Sequence, residues 1–191
     1  MKKLNFYNNK IGIIGLGYVG LPLALEFSKK FQVVGHDLRL NKINNIKKRK
    51  NISEISRKNY SQLNSIKLTN NISLLKTCNI FIITVPTPVH KNNKPDLSLL
   101  IKATHGIAKI LKHGDLIIFE STVYPGTTEE ICVPILEKIS KLKLLSDKKN
   151  NLKNKPFFLC GYAPERINPT DRTHLLPDTN KIVSGSTIRT T

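Results

Sequence analysis

Three glycines set the first chemical question. Gly15, Gly17 and Gly20 fall in "GLGYVG", between the apolar run "KIGII" and a helix-like run "LPLALEFS". Asp37 closes the next apolar run, about twenty residues beyond Gly17. A glycine triplet alone is weak, since turns use glycine by chance. A strand before it, a helix after it and an acid at the end of the second strand make it a dinucleotide pattern. Gly15 permits the tight turn, Gly17 lets a pyrophosphate approach the backbone, and Gly20 lets the helix pack closely on the strand. The helix N-terminus offers unpaired N–H groups and a positive dipole end to the phosphates. Asp37 would accept from the adenosine ribose hydroxyls, and a carboxylate there repels a 2′-phosphate, so NAD is favoured over NADP. Arg39 and Lys42 stand close enough in sequence to soften that preference by neutralising an extra phosphate. The bland alternative is a Rossmann-like sheet whose site is no longer used.

The elements that must position these residues alternate. Lys10–Ile14 reads as a first strand, 18–29 as a helix, 31–37 as a second strand and Leu40–Lys47 as a second helix. The polar stretch to about residue 70 carries no clear pattern. "NIFIITVPTP" is then a buried strand stopped by prolines, and 97–112 has apolar residues at helical spacing. "GDLIIFEST" is another strand, 126–139 another helix, "FFLCGYAPER" a further strand, and "KIVSG" a last short one. Short apolar runs alternating with helical segments predict an α/β fold: a Rossmann-like, doubly wound, mostly parallel sheet with helices on both faces. One dinucleotide-binding domain over 1–191 accounts for all of it. In such sheets ligands bind outside the carboxyl ends of the strands.

Bulk composition narrows the class. The chain has 191 residues, 39% of them hydrophobic, and a formal net charge of +18. Such a charge raises nucleic acid as a partner. The lysines, however, travel with asparagine and isoleucine ("LRLNKINNIKKRKNISEI") and form no arginine-rich stripe with interleaved aromatics. No nucleic-acid partner is expected. A basic surface remains suited to attracting a phosphorylated substrate. No stretch is apolar enough to span a bilayer, and the basic N-terminus is not followed by a signal-peptide core, so a cytoplasmic protein without a membrane partner is expected. Cys78, Cys132 and Cys160 are odd in number, far apart and without metal-ligand spacing.

The remaining strand-end loops are more specific. "TVPTP" (Thr84 to Pro88), "ESTVYPGTTEE" (Glu120 to Glu130) and "YAPERINPTD" (Tyr162 to Asp171), together with "GLGYVGLPLA", resemble the UDP-glucose/GDP-mannose dehydrogenase family in the right order over nearly the whole chain. Within it they look most like the UDP-N-acetylhexosamine 6-dehydrogenases that feed surface polysaccharide synthesis. The resemblance implies an NAD-binding domain in which Tyr18 and Val19 meet the pyrophosphate through backbone N–H groups. Asp37 and Lys42 would lie near the adenosine, and Thr87 and Thr122 would line the nicotinamide side of the cleft. Glu165 matches the glutamate that handles water or protons during thioester hydrolysis. Arg166 and Ile167 match positions that touch the UDP-sugar. Read without the family, Thr87 and Thr122 are strand-end hydroxyls that cap the next helix, and Glu165 is a solvated carboxylate paired with Arg166.

The implied reaction takes two hydrides from C6 of the sugar, converting the alcohol to a carboxylate and reducing two NAD molecules in turn. A cysteine traps the aldehyde as a thioester, and a lysine and an asparagine on a central helix assist. That helix and the family's "GGHC" motif are expected beyond Thr191, and none of the three cysteines matches the catalytic one. A homodimer is implied only for a full-length form, because relatives pair through the central helix. Arg39 stands where relatives often carry asparagine, Thr170 replaces a glycine, and the Lys/Asn-rich stretch 141–155 looks like a surface insertion. Three readings stay open: the NAD-binding half of a nucleotide-sugar dehydrogenase, a stand-alone NAD-binding module, and another NAD-linked class such as the hydroxyacid or 6-phosphogluconate-type dehydrogenases. The "ESTVYPG" and "PERINP" loops argue against the last.

Overall fold

Apolar runs of four or five residues can be buried on both faces only in a sheet covered from both sides. A computed structural model describes residues 9–147, 155–165, 181–188 and 190, and its strands follow that rule. They are β1 (Lys10–Ile14), β2 (Gln32–His36), β3 (Ile66–Thr69), β4 (Ile80–Ile83), β5 (Leu116–Phe119), β6 (Lys143–Leu144), β7 (Phe157–Tyr162) and β8 (Ser184–Gly185). They form one sheet in the order β3-β2-β1-β4-β5-β7-β6, with β8 paired antiparallel to β7 and every other pairing parallel.

Successive residues of a strand face opposite sides of the sheet, so each strand feeds two cores. Phe81 and Ile83 of β4 pack with Ile117, Phe119 and Phe158 beneath α3 (Ser98–Ala108) and α4 (Val133–Ser140). Ile82 faces the other way, joining Ile11, Ile13 and Val33 beneath α1 (Gly20–Ser28) and α2 (Leu40–Lys47). Helices on both faces of a mostly parallel sheet are what the alternation of apolar runs required.

The differences from the sequence reading have local causes. Helix α1 begins at Gly20 rather than at residue 18, because the turn carrying Tyr18 and Val19 stays outside it. The segment preceding α4 is a π-helix over Thr127–Cys132, followed by regular helix from Val133. Pro134 has no N–H to give the carbonyl one turn earlier, and the widened turn accommodates it. The unpatterned stretch before residue 70 holds a 3₁₀ segment, Arg57–Ser65, and the edge strand β3. Only Ile66 and Thr69 of β3 are buried, which leaves too little periodicity to read. At the start of the stretch read as an insertion, Lys143 and Leu144 form β6 and pair with Phe157 and Phe158, while residues 148–154 lie outside the described residues. "KIVSG" narrows to Ser184–Gly185. Among the described residues no helix is long and apolar enough to cross a membrane.

Candidate functional site

The neighbours β1, β4, β5 and β7 run parallel, so their carboxyl ends share one edge. The glycine loop, "TVPTP", "ESTVYPG" and "YAPE" leave from that edge in this order. Each loop is bonded to the next. Thr84 Oγ1 donates to the Gly15 carbonyl at 2.7 Å and to the Ile14 carbonyl at 3.1 Å. Ser121 Oγ donates to the Val85 carbonyl at 2.6 Å, and Thr87 Oγ1 to the Thr122 carbonyl at 2.6 Å. The Glu165 N–H donates to the Glu120 carbonyl at 3.3 Å. Thr87 therefore ties two loops together rather than capping a helix. Thr122 is exposed.

The glycine loop is pinned from behind. Gly15 has φ +97°, a left-handed conformation that side chains disfavour, and its N–H donates to the His36 carbonyl at 2.8 Å. A Cβ on Gly20 would stand 1.8 Å from the Gly15 carbonyl oxygen and 2.4 Å from Thr84 Oγ1, so only glycine lets α1 seat against β1. A Cβ on Gly17 would meet nothing within 4 Å. The N–H groups of Gly17, Tyr18 and Val19 have no acceptor among the described residues. An open approach lined by free donors at a helix N-terminus is a cradle for an anion. The pyrophosphate of a dinucleotide fits it.

Asp37 sits beyond the end of β2 with a side chain only 6% exposed. Its Oδ2 accepts from the Leu16 N–H at 3.2 Å, tying the acid to the glycine loop. Arg39 supplies the other bonds: its backbone N–H and Nε reach Oδ1 at 3.0 and 3.1 Å, and Nη2 reaches Oδ2 at 3.2 Å. Burial alone would raise the Asp37 carboxyl, but the Arg39 and Leu16 donors hold it below the usual aspartate value, so it is ionised. Lys42, the other residue expected near the adenosine, lies in the first turn of α2. Its ammonium is bonded to Glu54 in a largely buried pair, and Arg39 is the cation on Asp37. Neighbouring His36 is buried, and among the described residues neither ring nitrogen has a partner at hydrogen-bond geometry. Burial lowers its pKa, outweighing the opposing pull of the Asn70 backbone and the Asp37 charge, and leaves it neutral at pH 7.

At the other end of the row lies a feature the sequence did not reveal. Lys181 is bonded to Glu120, after β5, and to Glu165 at 3.1 Å, after β7. The side chains of Glu120 and Glu165 are 7% and 8% exposed and that of Lys181 is 19% exposed. Glu165 is thus a buried carboxylate, not the solvated one that an isolated loop would give. The signal available was two acids in loops destined to converge, which need a cation between them. Arg166 and Ile167, the expected sugar contacts, lie outside the described residues.

Among the described residues no cluster of histidine, cysteine and acid has the makings of a metal site. The thiols are free and buried. Burial pushes Cys132 up to about 11 and raises Cys78 and Cys160 as well, so all are protonated near neutral pH.

A parallel sheet with this strand order, a glycine turn feeding α1 and an acid after β2 defines a dinucleotide-binding domain of the Rossmann type. The chain belongs to the UDP-glucose/GDP-mannose dehydrogenase family, whose NAD-binding domain profile matches residues 9–191. NAD is accordingly its cofactor. UDP-N-acetyl-D-glucosamine 6-dehydrogenase of Pseudomonas aeruginosa is 45% identical over 179 residues, covering 93% of this chain and 40% of that protein. The enzyme of the same name from Salmonella typhi is 46% identical with the same coverage. Among solved structures, UDP-D-ManNAc dehydrogenase from Pyrococcus horikoshii superposes with a TM-score of 0.79 at 33% identity, covering 95% of this chain and 42% of that one. The chain therefore spans about two fifths of the length of the curated relatives it matches.

Proposed function

We propose that this chain is the NAD-holding part of a dehydrogenase that oxidises the C6 alcohol of a UDP-N-acetylhexosamine to the uronate for surface polysaccharide synthesis. The observation that supports this most is the row of four strand-end loops bonded one to the next, from the glycine cradle to the Glu120–Lys181–Glu165 cluster. NAD, when bound, accepts the hydride removed from C6. The backbone N–H groups of Gly17, Tyr18 and Val19 hold the pyrophosphate and Asp37 takes the adenosine ribose. Thr87 and Thr122, joined by the Thr87 hydroxyl, would border the nicotinamide end. Glu165, held by Lys181, orders the water for hydrolysis, while Arg166 and Ile167 meet the sugar nucleotide. A pair of buried carboxylates sharing one lysine keeps a base in a fixed place away from bulk solvent.

Titration of the chain with NAD tests the assignment. Asp37→Ala is expected to weaken binding at least about tenfold, a difference of ~1.4 kcal/mol, while Lys42→Ala stays within about threefold of wild type. Lys42 is committed to Glu54, so its loss acts on stability instead. Equal affinity of the wild type and the Asp37 variant would remove the ribose assignment.

The buried, protonated thiols bear on turnover. A nucleophile for the aldehyde stage must be a thiolate or carry a base beside it, and we infer that none of these cysteines serves. Mixed with NAD and UDP-N-acetylglucosamine, this chain alone is expected to form no uronate. NADH absorbance should not rise beyond one equivalent per sugar, since the first hydride needs no thiol and the second does. A larger rise that survives Cys78→Ser, Cys132→Ser and Cys160→Ser would place the chemistry in residues other than a thiol. A larger rise abolished by one of them would identify the nucleophile.

A further inference from the structure

Asp37 is the residue that ordinarily excludes NADP, since a bare carboxylate repels a 2′-phosphate. Here it is not bare. Both of its oxygens are engaged by the Arg39 fork, at 3.1 Å from Nε and 3.2 Å from Nη2, and the net charge of the pair is zero. We propose that Arg39 sets the cofactor selectivity of this domain, so that the site accepts NADP alongside NAD. The inference rests on the reading of Asp37 as the ribose acceptor.

Three features of the surroundings support it. Arg39 is the N-cap residue of α2, where a short polar side chain would bond the first-turn N–H groups, yet Arg39 makes no side-chain cap bond. Its guanidinium turns back onto Asp37 instead. The first turn of α2 contains no acidic residue, and Glu54, an acid whose charge does reach Arg39, is paired with Lys42. Lys42, the other cation that the sequence places close by, is withdrawn onto Glu54. The task falls to Arg39 alone.

The exchange is also mechanically easy. The Arg39 side chain is 70% exposed, although Asp37 is buried. A long exposed side chain reorients without disturbing the core. With NAD, the ribose hydroxyls take the places of guanidinium N–H groups on the carboxylate. With NADP, the 3′-hydroxyl bonds Asp37 while the planar fork of Arg39 closes on the 2′-phosphate, a geometry that guanidinium matches bidentately. Leu16 N–H continues to hold Oδ2 in both cases, so the acid itself stays in place.

The test is calorimetric titration of the wild-type chain and of Arg39→Asn with NAD and with NADP. Asparagine shortens the side chain, removes the charge and is a favourable N-cap, so the variant is expected to fold. The wild type should bind the two cofactors with affinities within about tenfold of each other, and Arg39→Asn should widen the preference for NAD by about fivefold or more. Discrimination against NADP by more than about tenfold in the wild type overturns the inference, as does a ratio that moves by less than about fivefold in the variant; either result leaves NAD binding intact. Failure of both cofactors to bind either protein would overturn the NAD assignment itself, and the inference with it.

Discussion

Lys181→Met is expected to destabilise the domain by about 3–5 kcal/mol, the range seen when one partner of a buried ion pair is removed. The reason is what stays behind. Glu120 is nearly inaccessible and is ion-paired to Lys181, while the Glu165 carboxylate stands close enough to add a like charge. Methionine keeps most of the volume, so the loss is electrostatic rather than a cavity. Chemical denaturation followed by tyrosine fluorescence or circular dichroism reads it, with Lys143→Met as the comparison. Lys143 bonds Glu137 at 3.2 Å on the surface, where it is 54% exposed, and pairs of that kind contribute about 0–1 kcal/mol.

The deficit should depend on pH with a definite sign. Burial raises the Glu120 carboxyl above its ordinary value, Lys181 opposes that by hydrogen bond and charge, and Glu165 adds to the rise. A carboxyl whose folded pKa lies above its unfolded one binds its proton more tightly when folded. Its contribution is full below the unfolded value and is lost as pH climbs through the folded value. Removing Lys181 takes away the opposing influence, so the folded value climbs further and ionisation at neutral pH becomes more costly. The gap between wild type and Lys181→Met is therefore expected to be largest near pH 8 and to shrink toward pH 5. Glu120→Gln in the Lys181→Met background should recover part of the loss at pH 8. A deficit that is the same at both pH values would mean the cluster acts through packing alone.

How much of this was legible in the sequence depends on the range of the signal. The glycine cradle, Asp37 and the strand-end loops could be read because each rests on a local pattern: a run, a turn, an acid at a fixed spacing. That β1, β2, β4, β5 and β7 are strands follows from the same runs, whereas their order across the sheet does not. Long-range pairings could not be read. Lys42 stands five residues after Asp37, and no local pattern foretells that its ammonium pairs with Glu54, twelve residues on. Lys181 is 61 residues from Glu120 and joins it only because β5 and β7 are sheet neighbours. Strand β3 stayed hidden for a different reason. It lies at the edge of the sheet and buries two of its four residues, so neither a continuous apolar run nor a clean alternation marks it.

Gly17→Ala and Gly20→Ala differ by one methyl at positions three residues apart, and their effects are expected to separate completely. At position 20 the new Cβ would lie 1.8 Å from a backbone oxygen, and that oxygen has no room to retreat. It belongs to Gly15, which is fixed at φ +97° by its bond to the His36 carbonyl and is itself hemmed in by Thr84, whose carbonyl oxygen would stand 3.0 Å from a Cβ at that position. Helix α1 must slide off β1, breaking the Thr84 bond to Gly15 and opening the core beneath Leu21 and Leu25. Overpacking of this kind costs about 3 kcal/mol at the upper end of its usual range, and the displaced cradle should bind NAD at least about tenfold more weakly in whatever fraction remains folded. At position 17 the added methyl meets open space, so stability should stay within about 1 kcal/mol of wild type. The methyl nevertheless stands where the pyrophosphate must come against the backbone, and affinity should fall by about tenfold or more. Unfolding curves and NAD titrations on the two variants decide it. If Gly17→Ala bound NAD as tightly as the wild type, the phosphates would not lie on this loop, and the free N–H groups of Gly17, Tyr18 and Val19 would need another partner.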